Sequence, residues 1–232
     1  MENFVAPPLS YSLGGNFDPN DVDQERVVLL GLIFDRSPST IPYASDFNRA
    51  TQEFLQEEQK SHIVDELFFQ IVSFASDVTV DSGWAPVSGC DTNRTFFSSS
   101  RNGLTAGYDA VKIGLESMLS YGAALEKQAV DVRYNLCIFT DGDFNDGIDQ
   151  TGKSVRTILD KIRSDENLYG KFTIFLYGVG KDVDFEKACD NMTIDRTAIL
   201  RVGASGADFK KMLSSVSQSV SKSSSGSAVP NF

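Results

Sequence analysis

Asp35, Ser37 and Ser39 stand at alternate positions just after the apolar run Val27–Phe34, in VVLLGLIFDRSPST. A run of that kind, broken only by Gly31, predicts a strand buried on both faces that stops at an acidic residue. If the chain turns there, one carboxylate and two hydroxyls converge at the strand's carboxyl end. They are hard oxygen ligands suited to Mg²⁺, Mn²⁺ or Ca²⁺ rather than to a thiophilic metal. Alone, the same triplet is also ordinary turn and helix-cap composition.

Two further features bear on the choice. Thr105 opens an apolar-periodic segment after a Ser/Asn/Gly loop, in RNGLTAGYDAVKIGL, and Asp141 ends a second buried-strand run, in YNLCIFTDGDFNDG. An Asp-x-Ser-x-Ser triplet, a lone Thr and a strand-terminal Thr-Asp-Gly, in this order and approximate spacing, resemble the von Willebrand factor type A family from about Val27 to Val220. The Thr140-Asp141-Gly142-Asp143 turn with Asp146 nearby, and the Ser-rich DFKKMLSSVSQSVSKSSSG segment, resemble the bacterial and phage TerY-like branch. The resemblance implies a metal-ion-dependent adhesion site. In it Asp35, Ser37, Ser39, Thr105 and Asp141 hold one divalent cation, Mg²⁺ foremost with Mn²⁺ or Ca²⁺ as alternatives, directly or through water. Family members of this kind are non-enzymatic: neutral hydroxyls leave the cation much of its charge, and a carboxylate from a protein partner completes its shell. Loops Ile41–Asp46, Ser98–Leu104 and Asp143–Gln150 would set partner choice. TerY-like relatives imply a stress-response, signalling or phage setting. Two residues depart from the family pattern: Arg36 and Pro38 stand where small residues and Gly are usual. Pro38 restricts Ser37 and so either preorganises the loop or shifts a ligand, and Arg36 either folds over the site and weakens cation binding or, as alternation favours, points away.

The fold implied is α/β, a three-layer, doubly wound and mostly parallel sheet with helices on both faces and one short antiparallel edge strand. In such sheets ligands bind outside the carboxyl ends of the strands, where strand order reverses. Helical periodicity is expected over Ala44–Lys60, Thr105–Ala124, Gly147–Arg163, Phe185–Asn191 and Ser205–Val220. Strands are expected over Asp65–Ala75, Arg133–Thr140, Lys171–Val179 and Ala198–Val202. Val78 and Val80 fit an edge strand, with Trp84 and Pro86 in a loop beyond it. Residues 1–25 form an irregular lead-in packing through Tyr11 and Phe17, residues 26–220 the domain, and residues 221–232 a flexible Ser-rich tail.

Composition narrows the function classes. With 21 Lys+Arg against 32 Asp+Glu, the net charge of −11 disfavours nucleic acid and anionic membranes as partners. No apolar run approaches the roughly twenty residues that span a bilayer, and the first ten residues lack a signal-type core, so the expected compartment is the cytosol. Cys90, Cys137 and Cys189 are too scattered for a disulfide framework or a zinc site.

Enzymatic readings fit less well. Mg²⁺-dependent phosphoryl transfer at an acidic strand end, as in haloacid-dehalogenase-like phosphatases, uses Asp-x-Asp, and Ser37 in the second position cannot protonate a leaving group. No phosphate-binding glycine loop is present. His62, the single histidine, falls in a polar stretch where a surface role is expected rather than a triad. Asp141, Asp143, Asp146 and Asp149 lack the closing Glu of a calcium loop, Gly152 standing in its place. A metal-independent assembly role, resting on Trp84, Phe96, Phe97 and the Phe68–Phe69 pair, is the remaining alternative.

Overall fold

The apolar run Val27–Phe34 lies in strand β1, Arg26–Asp35, every residue of which is buried except Arg26. Its neighbours explain why. The computed structural model describes residues 16–96, 98, 103–142, 144–179, 185–203 and 205–226. Among these, β1 is central in a six-stranded sheet with β2 (Leu67–Phe74), β3 (Val78–Pro86), β4 (Asp131–Thr140), β5 (Phe172–Val179) and β6 (Ile199–Val202), in the order β3-β2-β1-β4-β5-β6. All neighbours are parallel except β2 and β3. The α/β doubly wound class with one antiparallel edge strand is therefore the observed one.

Strand alternation sorts β1 onto two cores. Val27, Leu29 and Ile33 join the core under α2 (Gly107–Glu126), α3 (Lys153–Ser164) and α5 (Phe185–Met192). Val28, Leu30, Leu32 and Phe34 join the core under α1 (Ala44–Glu58) and α6 (Gly206–Ser224). A four-residue helix, α4 (Glu166–Tyr169), follows α3. Gly31 interrupts the apolar run because a Cβ there would lie 2.8 Å from both Met118 Cε and Leu136 Cδ1. Met118 of α2 thus packs directly onto the strand backbone there.

Several boundaries differ from the sequence expectation, each for a local reason. The second strand begins at Leu67, after a turn, rather than at Asp65. β3 continues through Trp84 to Pro86 instead of ending in a loop; its edge position tolerates a proline without a lost ladder bond. Trp84 is fully buried, stacks on Tyr121 at 5.7 Å and donates from Nε1 to Ser117 Oγ at 3.0 Å. α2 starts at Gly107 rather than Thr105. α3 starts at Lys153 rather than Gly147, because Gly147 (φ +102°) and Gly152 (φ +69°) hold left-handed backbone and Asp149 ties the segment into a capping turn. In the lead-in, Phe17 N donates to Trp84 O at 2.7 Å and its ring meets Phe68 edge-on; Tyr11 lies outside the described residues.

The Ser-rich segment is a working part of the core. α6 runs to Ser224, beyond the expected end at Val220, since its serines satisfy polar groups that the sheet buries. Asn135, 1% exposed in central β4, donates to Ser223 Oγ at 2.9 Å and accepts from Ser219 Oγ at 2.8 Å. Ser224 donates to Glu66 and Ser217 to Glu58. Replacing both Ser219 and Ser223 by Ala should leave a buried amide unpaired at a cost of about 1–3 kcal/mol in urea unfolding. Ser214→Ala, on the exposed side of the same helix, should change stability by less than about 0.5 kcal/mol.

Candidate metal centre

Adjacent parallel strands bring the two distant acidic residues together. β1 and β4 run in register through Phe34 and Phe139, so Asp35 at the end of one and Thr140-Asp141 at the end of the other emerge side by side. Pro38 opens a 3₁₀ turn, Pro38–Tyr43, and holds Ser37 extended at φ −58°, ψ 163°. That turn folds the Asp-x-Ser-x-Ser segment back over the strand tips.

A continuous hydrogen-bond chain results. Ser37 N donates to Asp35 Oδ1 at 2.8 Å, and Thr140 Oγ1 donates to Asp35 Oδ2 at 2.7 Å. The Ser37 and Ser39 hydroxyls are 2.9 Å apart, and Ser39 Oγ donates to Asp141 Oδ1 at 2.8 Å. Tyr43 closes the chain by donating its hydroxyl to Asp141 Oδ2. Asp35, Ser37, Thr140 and Asp141 are buried, whereas Ser39 is exposed, so the cluster opens to solvent on the Ser39 side.

Thr105 is buried at the same end of the sheet but stands apart from this chain. Its loop is clamped by Ala106 N donating to Ala75 O at 2.6 Å and by Thr105 N donating to Asn145 Oδ1 at 3.0 Å. The Thr105 carbonyl accepts from Asn145 N and Asp146 N. Among the described residues, its hydroxyl has no hydrogen bond to the other four predicted ligands. Arg36 turns to the edge strand, where Nη2 donates to Asp77 Oδ2 at 2.6 Å and to Thr79 Oγ1 at 3.2 Å. Its charge is directed away from the two carboxylates.

Beneath the carboxylates lies an aromatic floor. Phe34 meets Phe47 at 4.7 Å and Phe139 at 4.9 Å, and Phe47 meets Phe209 at 5.0 Å. A cavity of about 20 Å³ lies between this floor and Asp35, Tyr43, Thr140 and Asp141. Burial there pushes the Asp35 carboxyl up to about 6, against hydrogen bonds from Ser37 and Thr140, with the Asp141 charge adding to the rise. A cation placed beside the Asp35 carboxylate would offset both its burial and the charge of Asp141. The donor set, two carboxylates with neutral oxygens and no thiolate or imidazole, fits a hard divalent ion. Among the described residues, no three His, Cys, Asp or Glu side chains gather as a metal site, and this cluster itself brings two carboxylates together with hydroxyls.

The acidic turn after Asp141 serves the loop instead. Asp149 accepts from Thr151 N at 2.9 Å and from Ser154 N at 2.7 Å; despite partial burial, hydrogen bonds from Ser154 and Thr151 hold its carboxyl well below the usual range. Asp143 lies outside the described residues. His62 is exposed, and it borders a groove with Glu25, Arg26 and Asp131 at the opposite end of the strands from Asp35. Sequence reasoning missed Tyr43, Thr140 and Asn145. Thr140 sat within the quoted Thr-Asp-Gly motif, but nothing in the local sequence marks Tyr43 or Asn145 as neighbours of Asp141 and Thr105.

Comparison with solved structures shows a von Willebrand factor type A-like fold. Proximal thread matrix protein 1 from the mussel byssus superimposes with a TM-score of 0.60 at 17% identity, over 85% of this chain and 49% of the mussel protein. A second structure of that protein, described as having a zinc-occupied MIDAS motif, gives 0.57 at 15% identity over 85% of this chain and 48% of that one. A von Willebrand factor type A structure from Catenulispora acidiphila gives 0.52 at 13%, over 84% of this chain and 42% of that one. The chain thus spans about half the length of these proteins or less. No family profile and no curated protein sequence matches it. Among the described residues, no helix is long and apolar enough to cross a membrane.

The elevated Asp35 carboxyl has a consequence for stability in EDTA. Because the folded state holds the proton more tightly than the unfolded chain, this group's contribution is undiminished below about pH 4, falls as pH rises to about 6, and is flat above. Asp35→Asn should therefore stabilise the metal-free protein above pH 6 by on the order of 1–3 kcal/mol, and leave it little changed near pH 4. Thermal unfolding against pH reads both limbs.

Proposed function

We propose that this domain is a non-enzymatic protein-interaction module that holds one divalent cation at Asp35, Ser37, Ser39, Thr105 and Asp141, and docks a partner's carboxylate through it. The observation that carries this reading is the convergence of Asp35, Ser37, Ser39 and Asp141 in one hydrogen-bonded cluster at the tips of β1 and β4. A bound cation supplies an electrophilic point charge that a carboxylate can complete. The chain's part is to keep that charge incompletely neutralised, by presenting hydroxyls beside only two carboxylates. Mg²⁺ is the proposed ion, with Mn²⁺ or Ca²⁺ as alternatives. The mussel protein's structure with a zinc-occupied MIDAS motif supports a divalent ion in a domain of this fold.

The rim suits a protein partner. Ile41, Leu104 and Ile148 are 47%, 54% and 100% exposed and belong to the three loops that carry or flank Ser39, Thr105 and Asp141. Apolar side chains on such loops favour a partner whose acidic residue is flanked by apolar ones. The remaining parts of the proposal rest on the sequence: a TerY-like relationship, a bacterial or phage stress or signalling setting, a cytosolic location, and neither nucleic acid nor membrane as partner.

Calorimetric titration with Mg²⁺ and Mn²⁺ tests the site. Wild type should bind one ion, Asp35→Ala and Thr105→Ala should weaken binding at least about tenfold while retaining the fold, and partner recovery from the native source should fall in EDTA. Equal recovery with and without chelator, or from Asp35→Ala, would establish metal-free assembly instead.

A further inference from the structure

The cation reading leaves Tyr43 without a role, although its hydroxyl reaches one of the proposed ligands. Asp141 has both oxygens engaged: Oδ1 accepts from Ser39 at 2.8 Å and Oδ2 accepts from Tyr43. The two donors are not equivalent. Ser39 is exposed, and its hydroxyl can rotate to present a lone pair to an ion together with Asp141 Oδ1. Tyr43 is fixed from behind, its ring 6.2 Å from that of Phe209, and it shares the small cavity with Phe47, Phe139 and Val179.

We propose that Tyr43 is a specificity-determining residue for the cation: by holding Asp141 Oδ2, it restricts Asp141 to one ligand oxygen and so selects Mg²⁺ over Ca²⁺. This rests on the metal-site reading above and goes beyond it. Ca²⁺ takes about six to eight oxygens and uses both oxygens of a carboxylate readily, whereas Mg²⁺ takes about six at shorter distance and uses single carboxylate oxygens and waters. A carboxylate with one oxygen tied to a rigid phenol serves the second ion better than the first. On the other carboxylate both oxygens are engaged, Thr140 Oγ1 donating to Asp35 Oδ2 at 2.7 Å and Ser37 N donating to Oδ1 at 2.8 Å. Asp141 would then offer a bound ion Oδ1 alone, and the positions left open would be filled by waters that a partner carboxylate could replace.

Calorimetric titration of wild type, Tyr43→Phe and Tyr43→Leu with Mg²⁺ and with Ca²⁺ separates the possibilities. Phe keeps the ring contacts without the hydroxyl, and Leu keeps apolar filling if Phe disturbs the fold; near-UV circular dichroism checks both. The expected result is a wild-type preference for Mg²⁺ that falls about tenfold in each variant, chiefly through tighter Ca²⁺ binding. A wild type that prefers Ca²⁺, or variants that bind both ions with an unchanged ratio, would overturn the role of Tyr43 while leaving the metal site standing. A wild type that binds neither ion would overturn both.

Discussion

The constraint that shapes this end of the molecule is the cost of placing two carboxylates on an aromatic floor at the tips of adjacent buried strands. Burial pushes the Asp35 carboxyl up to about 6, and the charge of Asp141 adds to the rise. The surrounding structure answers that cost with hydroxyl and backbone donors. Ser37 N and Thr140 serve Asp35, while Ser39 and Tyr43 serve Asp141. Charge is spread over these bonds without being cancelled, which is the condition a cation-binding site needs.

The rest of the fold can be understood as what fixes those donors. The β1–β4 register sets the separation of the strand tips. The 3₁₀ turn begun by Pro38 returns Ser37, Ser39 and Tyr43 over them. α6, pinned by serines to Asn135 in β4, Glu58 at the end of α1 and Glu66 before β2, brings Phe209 against Tyr43 and Phe47. Polar bonds deep in a sheet are costly to leave unmade, so they fix the helix in one register. Rigidity at the buried face is thus continuous with positioning at the exposed one.

Much of this was legible in the sequence because buried parallel strands are long apolar runs and their ends are abrupt. Val27–Asp35 and Arg133–Thr140 announced both strands and both acids, and the triplet Asp35, Ser37, Ser39 announced the turn. Other features were hidden because their signals are not local. Trp84 and Pro86 resemble a loop until the strand is known to lie at the sheet's edge. The serines of α6 resemble a flexible tail until Asn135 is seen across from them. Gly147 and Asp149 sit in a helix-like pattern that left-handed backbone at two glycines breaks. Tyr43 meets Asp141 only because a turn and a strand crossover bring them together, and no spacing rule encodes that.

Anomalous diffraction from crystals grown with Mn²⁺ tests the central claim most directly. The account predicts one strong peak bounded by Asp35, Ser37, Ser39 and Asp141, with Thr105 reaching it directly or through water. No peak there at saturating Mn²⁺, or a peak only at the acidic turn of Asp146 and Asp149, would contradict it.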